Sequence, residues 1–110
     1  MYLPDGNRAV VDDAKLLEYV LDPDHPVGRH HAALFDRLLG ITRENYEELT
    51  EQLLRGARTA EVEAGQESPF GQKFEMRIAV MGPRGTRTVL AVWIREFGRP
   101  GPRLVTCYVE

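Results

Sequence analysis

Apolar residues along this chain follow two different periods, and the period changes near Pro69. Before that proline they recur at helical spacing, and after it they alternate with polar residues. Short turn sequences rich in Gly and Pro separate the alternating segments. Helices followed by strands with short connections predict an α+β domain, in which about three N-terminal helices pack on a C-terminal antiparallel meander of three or four strands.

Three helices are predicted in the first half of the chain. The first extends from Asp12 or Asp13 to about Leu21, where Asp22 and Pro23 stop it. The second begins near Val27 or Gly28 and ends at Gly40, which suits a left-handed C-terminal cap. Thr42 is the expected N-cap of the third helix. This third helix has apolar Tyr46, Leu49, Leu53 and Ala57 on one side and Glu44, Glu47, Glu48 and Glu51 on the other.

Three strands follow, at about 73–80, 86–97 and 103–109, and their alternation assigns two faces. The expected core face consists of Phe74, Met76, Ile78 and Val80, then Leu90, Val92 and Ile94, then Val105, Cys107 and Val109. The opposite face then carries Lys73, Arg77, Arg87, Trp93, Arg95, Thr106 and Tyr108. A one-residue slip in the long second strand would exchange these faces.

Length and composition narrow the class of protein. A chain of 110 residues is expected to form one domain, 1–110. Its one cysteine excludes an internal disulfide, and it offers no expected metal site or cofactor. No apolar run is long enough to span a membrane, and no signal peptide is visible, so we expect a cytoplasmic protein, or one delivered to a target cell if it belongs to a toxin system.

The net charge of −3 hides an uneven distribution. Residues 1–67 contain seven bases and fourteen acids, a formal charge of −7, whereas residues 68–110 contain seven bases and three acids, a charge of +4. Such asymmetry suggests an anionic partner. Arg77, Arg87 and Arg95, together with Trp93 and Tyr108, would suit RNA, because arginines meet phosphates and aromatic rings stack on bases. An ordinary solvated sheet face explains the same residues.

All three histidines, His25, His30 and His31, lie within seven residues. Imidazole suits proton transfer near neutral pH. His31 lies four residues before Phe35, on the flank of the buried stripe, so it would face the sheet, whereas His30 points about 100° away. A shared metal ion is disfavoured because neighbouring helical side chains diverge, which leaves a structural role or general acid–base chemistry.

Six segments of the chain occur in an order that resembles a family of small bacterial proteins classed as a domain of unknown function. They are KLLEYVL, HPVGRHHA, FGQKF, GPRG, VWI and PRLVTCY, and they span nearly the whole sequence. The family usually has a lysine where this chain has His31. Its typical last strand, Thr-small-Tyr, is matched by Thr106, Cys107 and Tyr108.

Helices followed by a sheet with this ending are also similar to the barnase/EndoU/colicin/RelE-like ribonucleases, a likeness at the level of fold only. The likeness implies RNA cleavage without a metal ion. His31 or His30 would transfer a proton, and Thr106 and Tyr108 would orient or donate hydrogen bonds. Phosphate would be bound by Arg29, Arg77, Arg87 and Arg95, and Trp93 would stack on a base. Many such proteins pair with a neutralising protein.

Two other functions fit the same sequence. The protein would be a non-catalytic module, such as an immunity protein, antitoxin or accessory subunit, whose acidic third helix binds a basic partner. Alternatively it is a homodimerisation domain that pairs through the sheet face, with Trp93 and Tyr108 buried at the interface.

Overall fold

The computed structural model describes residues 1–110, and its first half is helical. Helix α1 is Asp13–Lys15, which continues as a π-helical turn, Leu16–Val20. Helix α2 is Arg29–Leu34, which continues as a second π-helical turn, Phe35–Leu39. Helix α3 is Tyr46–Thr59. None of these helices has the length and apolar character needed to cross a membrane.

The predicted cap at Gly40 is confirmed, whereas Thr42 caps a short 3₁₀ turn, Arg43–Asn45, that leads into α3 and does not cap α3 itself. Gly40 adopts a left-handed conformation with φ 70° after the π-helical turn, a conformation that favours glycine. Before α3, the Thr42 side chain accepts a hydrogen bond from the Glu44 N–H at 3.2 Å. The Asn45 side chain accepts one from the Thr42 N–H at 2.7 Å. These reciprocal bonds satisfy backbone donors that a helix start leaves unpaired.

The second half is an antiparallel sheet in the order β1-β2-β3-β4. The strands are β1 Val62–Ser68, β2 Gly71–Gly82, β3 Gly85–Glu96 and β4 Arg103–Val109. The α+β prediction is therefore confirmed, with the helices N-terminal. Strand β1 is not among the three strands located from the sequence, because Val62 is its one buried residue and it shows no alternation of buried and exposed positions.

One apolar core joins the helices to one face of the sheet. It contains Leu16, Val20, Phe35, Leu39, Leu49 and Leu53 from the helical half, and Phe74, Met76, Val80, Val89, Ala91, Trp93, Leu104, Cys107 and Val109 from the sheet. Leu90 is only 4% exposed but does not belong to this cluster, because it lies on the opposite face.

The predicted faces of β3 are wrong. Trp93 pairs with Phe74 and Ala91 pairs with Met76, so Val89, Ala91 and Trp93 point into the core, while Leu90, Val92 and Ile94 point away from it. The cause lies in the sequence itself. Residues 89–94 are all apolar, so no alternation of apolar and polar residues shows which of them face the core. Only the pairing with β2 decides which side of this segment is buried.

A bulge changes the predicted face of β4. Trp93 pairs with Leu104 and Val92 pairs with Thr106, so Val105 is the extra residue. Leu104 therefore takes the core position that was predicted for Val105, while Cys107 and Val109 are in the core as expected. In a bulge, two residues of one strand lie opposite a single residue of the neighbouring strand. The alternation of core-facing and outward-facing side chains is therefore shifted by one residue beyond that point.

The N-terminal segment, residues 1–11, contacts both edges of the sheet. The Val62 N–H donates to the Met1 carbonyl at 2.7 Å, beside β1. At the other edge, the Val10 N–H donates to the Pro102 carbonyl at 2.9 Å, and the Leu104 N–H donates to the Val10 carbonyl at 3.0 Å. Between these contacts Leu3 enters the core. This segment thereby satisfies backbone groups that edge strands otherwise expose.

Candidate functional site

The face of the sheet that points away from the helical core is called here the outer face. It consists of Glu63 on β1, Lys73, Glu75, Arg77 and Ala79 on β2, Thr88, Leu90, Val92 and Ile94 on β3, and Arg103, Thr106 and Tyr108 on β4. An apolar centre on β3 is flanked by charged and hydroxyl groups on both sides. Three of these twelve residues, Lys73, Arg77 and Arg103, are basic.

The structure places His31 against Tyr108. Their rings are stacked, with centroids 5.0 Å apart and an interplanar angle of 29°. His31 Nδ1 is buried and has no hydrogen-bond partner. The Nε2 atom therefore remains as the ring nitrogen that can exchange a proton with a ligand. Two groups able to donate hydrogen bonds, an imidazole and a phenol, thus lie together at the β4 border of the outer face.

Local structure before α2 fixes the position of His31. His25 Nδ1 accepts hydrogen bonds from the Val27 and Gly28 N–H groups, both at 3.0 Å, and its ring meets Tyr19 edge-on at 4.9 Å between centroids. A Cβ atom at Gly28 would overlap the Tyr19 carbonyl oxygen. This turn therefore needs glycine, and His25 has a structural role.

Thr106 and Arg77 extend the site along the outer face. Thr106 lies two residues from Tyr108 on the same side of β4, opposite Val92. Arg77, Leu90 and Tyr108 form one row across three strands, so Arg77 is about 10 Å from Tyr108 at the usual spacing between strands. The Arg77 Nε–H donates to Glu110 Oε1 at 2.8 Å, and this hydrogen bond raises the pKa of the guanidinium.

The other predicted phosphate-binding arginines do not reach this site. Arg87 and Arg95 were expected beside Arg77, but they pair with Val80 and Gln72 and so lie on the helix side of the sheet. Arg87, Trp93 and Arg95 are separated by even numbers of residues on β3, so their side chains share one face of the sheet. The prediction that reversed the two faces of β3 therefore misplaced all three residues together.

Arg95 and Arg29 have local contacts of their own. Arg95 Nη2 contacts Asp5 Oδ2 at 2.9 Å, which ties the N-terminal segment to β3. Arg29 lies at the start of α2, and its Nη1–H donates to the Pro26 carbonyl at 3.0 Å. Neither contact places a guanidinium against Tyr108.

Trp93 and His30 stand apart from the site as well. Trp93 is 0% exposed in the core, so the predicted stacking of this indole on a base, or its burial at a dimer interface, is wrong. His30 is exposed on α2 and makes no ring contact with the sheet. Of the two candidate histidines, the structure brings only His31 to Tyr108, as its spacing from Phe35 indicated.

Sequence reasoning missed the acids that accompany the basic residues. Glu110 holds Arg77, while Asp12 contacts Arg103 at 3.3 Å. These pairs link segments distant in sequence, so only the strand register could have revealed them. No group of three or more His, Cys, Asp or Glu side chains is arranged to hold a metal ion.

Comparison with known proteins gives a family but no relative of known activity. No curated protein and no solved structure matches this chain. A family model described as a domain of unknown function, DUF6883, matches residues 2–110. That range includes every helix and strand and both rings of the His31–Tyr108 pair. The chain therefore belongs to the DUF6883 family.

Proposed function

We propose that this protein cleaves RNA at the His31–Tyr108 pair. The observation that carries the proposal is the stacked contact between these two rings at the border of the outer face. Neither the His31 imidazole nor the Tyr108 hydroxyl is engaged in a hydrogen bond within the chain, whereas Arg77, Arg95 and Arg103 are each paired with an acid. Uncommitted donors are what a phosphodiester substrate requires.

The reaction that suits these groups is internal transesterification. The ribose 2′-oxygen attacks the adjacent phosphorus and releases its proton to water, a new O–P bond forms, and the bond from phosphorus to the 5′-oxygen breaks. Protonated His31 gives a proton through Nε2 to the departing oxygen. The Tyr108 hydroxyl donates a hydrogen bond to a nonbridging phosphate oxygen, on which negative charge develops. The products are a 2′,3′-cyclic phosphate and a 5′-hydroxyl.

The stacked geometry explains why a histidine serves here. Packing against the Tyr108 ring fixes the plane of the imidazole, so little side-chain entropy is lost when a phosphate binds. The resemblance described above implies a lysine at this position in related sequences, and both side chains can donate an N–H to a phosphate, either as a cation or as a proton donor.

Replacing His31 by Ala tests the proposal. We expect the rate of cleavage of a single-stranded RNA to fall at least about 100-fold, since general acid catalysis contributes this much. Tyr108→Phe, which preserves the stacked ring but removes the hydroxyl, should lose activity as well. Cleavage is measured with purified protein by separation of end-labelled fragments, and a 2′-deoxy residue at the cleavage position should block it.

His30→Ala is the matched control, because it removes a neighbouring exposed imidazole from the same helix. It should retain wild-type activity and thermal stability. If wild-type protein cleaves no RNA, or if His31→Ala cleaves as fast as His30→Ala, the proposed function is wrong.

One observation favours a second function, binding of a basic protein partner. Glu44, Glu47 and Glu48 are exposed along α3 and its preceding turn, and none of them forms an ion pair. Unpaired acids on a helix face would steer a positively charged protein. Expression in growing cells distinguishes the two functions, because an RNA-cleaving protein slows growth in a His31-dependent manner, whereas an interaction module does not.

A further inference from the structure

The imidazole of His25 closes the turn that leads into α2. Its Nδ1 atom accepts hydrogen bonds from the Val27 and Gly28 N–H groups, both at 3.0 Å. The His25 carbonyl accepts one from the Arg29 N–H at 3.1 Å, which is the spacing of a helical bond. His25 therefore acts as an N-cap does, one turn ahead of α2, and Pro26 follows it at the place that proline favours.

These hydrogen bonds determine which nitrogen of His25 carries a proton. A neutral imidazole has one N–H and one acceptor nitrogen, so an accepting Nδ1 places the hydrogen on Nε2. A second proton can bind only at Nδ1, the atom to which the Val27 and Gly28 N–H groups already point. Protonation of His25 and this pair of hydrogen bonds therefore exclude each other.

The surroundings of His25 do not offset a positive charge on its ring. None of the ion pairs of the chain includes His25. The Asp22 carboxylate accepts from the Asp24 N–H at 2.9 Å and lies 3.9 Å from Arg43. The start of a helix also disfavours a cation, because the backbone dipole is positive there. The titratable and charged groups of the elements around the ring are Lys15 and Tyr19 before it, Asp22 and Asp24 in its own turn, and Arg29 at the start of α2.

The start of α2 has fewer core anchors than its end. Phe35 and Leu39 are both 0% exposed in the core, whereas Arg29 and His30 are exposed. His31 lies between the cap and Phe35. Loss of an N-cap makes opening of the first turns about 2- to 30-fold more frequent. Such opening carries the His31 ring away from Tyr108, on which it stacks.

We infer that neutral His25 is a pH-sensitive latch, which keeps His31 against Tyr108 and releases it when Nδ1 is protonated. The consequence for RNA cleavage rests on the proposed function. In that reaction His31 must be charged to give a proton, whereas His25 must be neutral to position it. Cleavage is therefore fastest at an intermediate pH, and opening of the latch causes the fall on the acid side. His25 is a positioning residue, since it acts through His31.

Nuclear magnetic resonance tests the latch without RNA. The sample is titrated from about pH 8 to about pH 5, the interval in which histidine side chains change charge. The 15N signals of the imidazole report protonation of His25, and cross-relaxation between the His31 and Tyr108 rings reports their contact. Both should change together. Hydrogen exchange of the Val27 and Gly28 amides, corrected for the intrinsic effect of pH, should become about 2- to 30-fold faster, while amides of α3 keep their protection.

His25→Asn is the conservative variant, because its amide oxygen can accept the same two hydrogen bonds and does not titrate. It should keep the His31–Tyr108 contact over the whole titration. Its cleavage rate should lose the acid-side fall and keep the fall on the alkaline side. His25→Leu removes the acceptor, so the ring contact should be weakened at every pH. His30→Asn is the matched control, since it removes an exposed imidazole from the same helix, and it should respond to pH as the wild type does.

The outcomes separate the latch from the proposed function. A His25 ring that stays neutral to about pH 5, or a His31–Tyr108 contact that persists after His25 is protonated, would overturn the inference. If RNA is cleaved and His25→Asn retains the acid-side fall, the latch is wrong and the proposed function stands. If the ring contact follows His25 as expected but neither wild type nor His25→Asn cleaves RNA, the latch is supported and the proposed function is wrong.

Discussion

Trp93 shows how a single side chain can reverse an interpretation of the surface. On the sequence it was the aromatic residue best suited to hold a base, yet it is fully buried and pairs across the sheet with Phe74. Its Nε1–H has no hydrogen-bond partner. The large apolar area of the indole outweighs the cost of that unpaired donor, about 1–3 kcal/mol.

Trp93→Ala should therefore lower the free energy of unfolding by about 3–5 kcal/mol, as expected for loss of a large aromatic from a core. Urea denaturation followed by circular dichroism measures the change. Trp93→Phe, which keeps most of the buried area and removes the unpaired N–H, should lose much less. Wild-type protein should show blue-shifted tryptophan fluorescence that RNA does not quench, and quenching by RNA would contradict the burial.

Cys107 is a second core residue, and burial determines the reactivity of its thiol. It is the one cysteine of the chain, and burial raises the pKa of its thiol from 9.0 to about 12. The thiolate is the reactive form, so native Cys107 should react with iodoacetamide far more slowly than the unfolded chain at the same pH. Mass spectrometry of samples taken with and without denaturant measures this difference.

The same shift makes stability depend on pH. Because the folded protein holds the thiol proton more tightly, the contribution is fully present below pH 9 and is lost as the pH rises toward 12. Cys107→Ala removes the group, so its unfolding free energy should fall less steeply over this interval than that of the wild type. Identical slopes would show that the thiol is not buried in solution.

At the scale of elements, helices were easier to predict than sheet faces. The boundaries of the helices depend on local backbone conformation and local hydrogen bonds, so the type of residue at each boundary predicts it. Examples are the cap residues Gly40 and Thr42 and the helix stop at Asp22-Pro23. The phase of β3 depends instead on its partner strand, and the bulge at Val105 depends on pairing between β3 and β4. Such register is a property of two segments and cannot be read from either one alone.

The candidate site was predictable to a similar degree. His31 was expected to face the sheet because it precedes Phe35 by one helical turn, and the typical last strand singled out Tyr108. Two other features depend on how the strands pair and could not be predicted from one segment. They are the ion pair between Arg77 and Glu110 and the position of Arg87 and Arg95 on the helix side of the sheet.

The edges of the sheet are protected by different elements. At β4, Val10 forms backbone bonds with Pro102 and Leu104. At β1, Glu63 and Glu67 add charge, and a bulge between Ala64 and Glu67 breaks the regular edge. Charges and bulges both discourage pairing with another chain.

Val10→Pro tests the contact at β4. It removes the N–H that bonds to the Pro102 carbonyl, and we expect a loss of about 1–3 kcal/mol of unfolding free energy together with weaker protection of nearby amides from hydrogen exchange. Val10→Ala keeps that N–H and removes only an exposed side chain, so it should change stability by less than about 0.5 kcal/mol. Equal effects of the two substitutions would mean that the backbone contact contributes nothing.

At the scale of the whole molecule, the division of charge along the sequence does not become a division between layers. The acidic strand β1 belongs to the sheet, and the outer face combines Lys73, Arg77 and Arg103 with Glu63 and Glu75. Arg77 is paired with Glu110, so the field over the site is weaker than a count of arginines suggests. Under the proposed function, RNA is held there by a few phosphate contacts, and we expect its affinity to fall moderately with salt.

The placement of residues 1–11 against both sheet edges also has a consequence for how the chain is made. These residues are synthesised before Val62 and Pro102, the partners of Met1 and Val10, so both contacts form only after those partners have been made. Contacts between such distant segments form late and slowly. Tyr108 follows Pro102 along the chain, so the contact between the His31 and Tyr108 rings also forms only after β4 has been made. The N-terminal segment and α2 therefore reach their final positions later than their place in the sequence suggests.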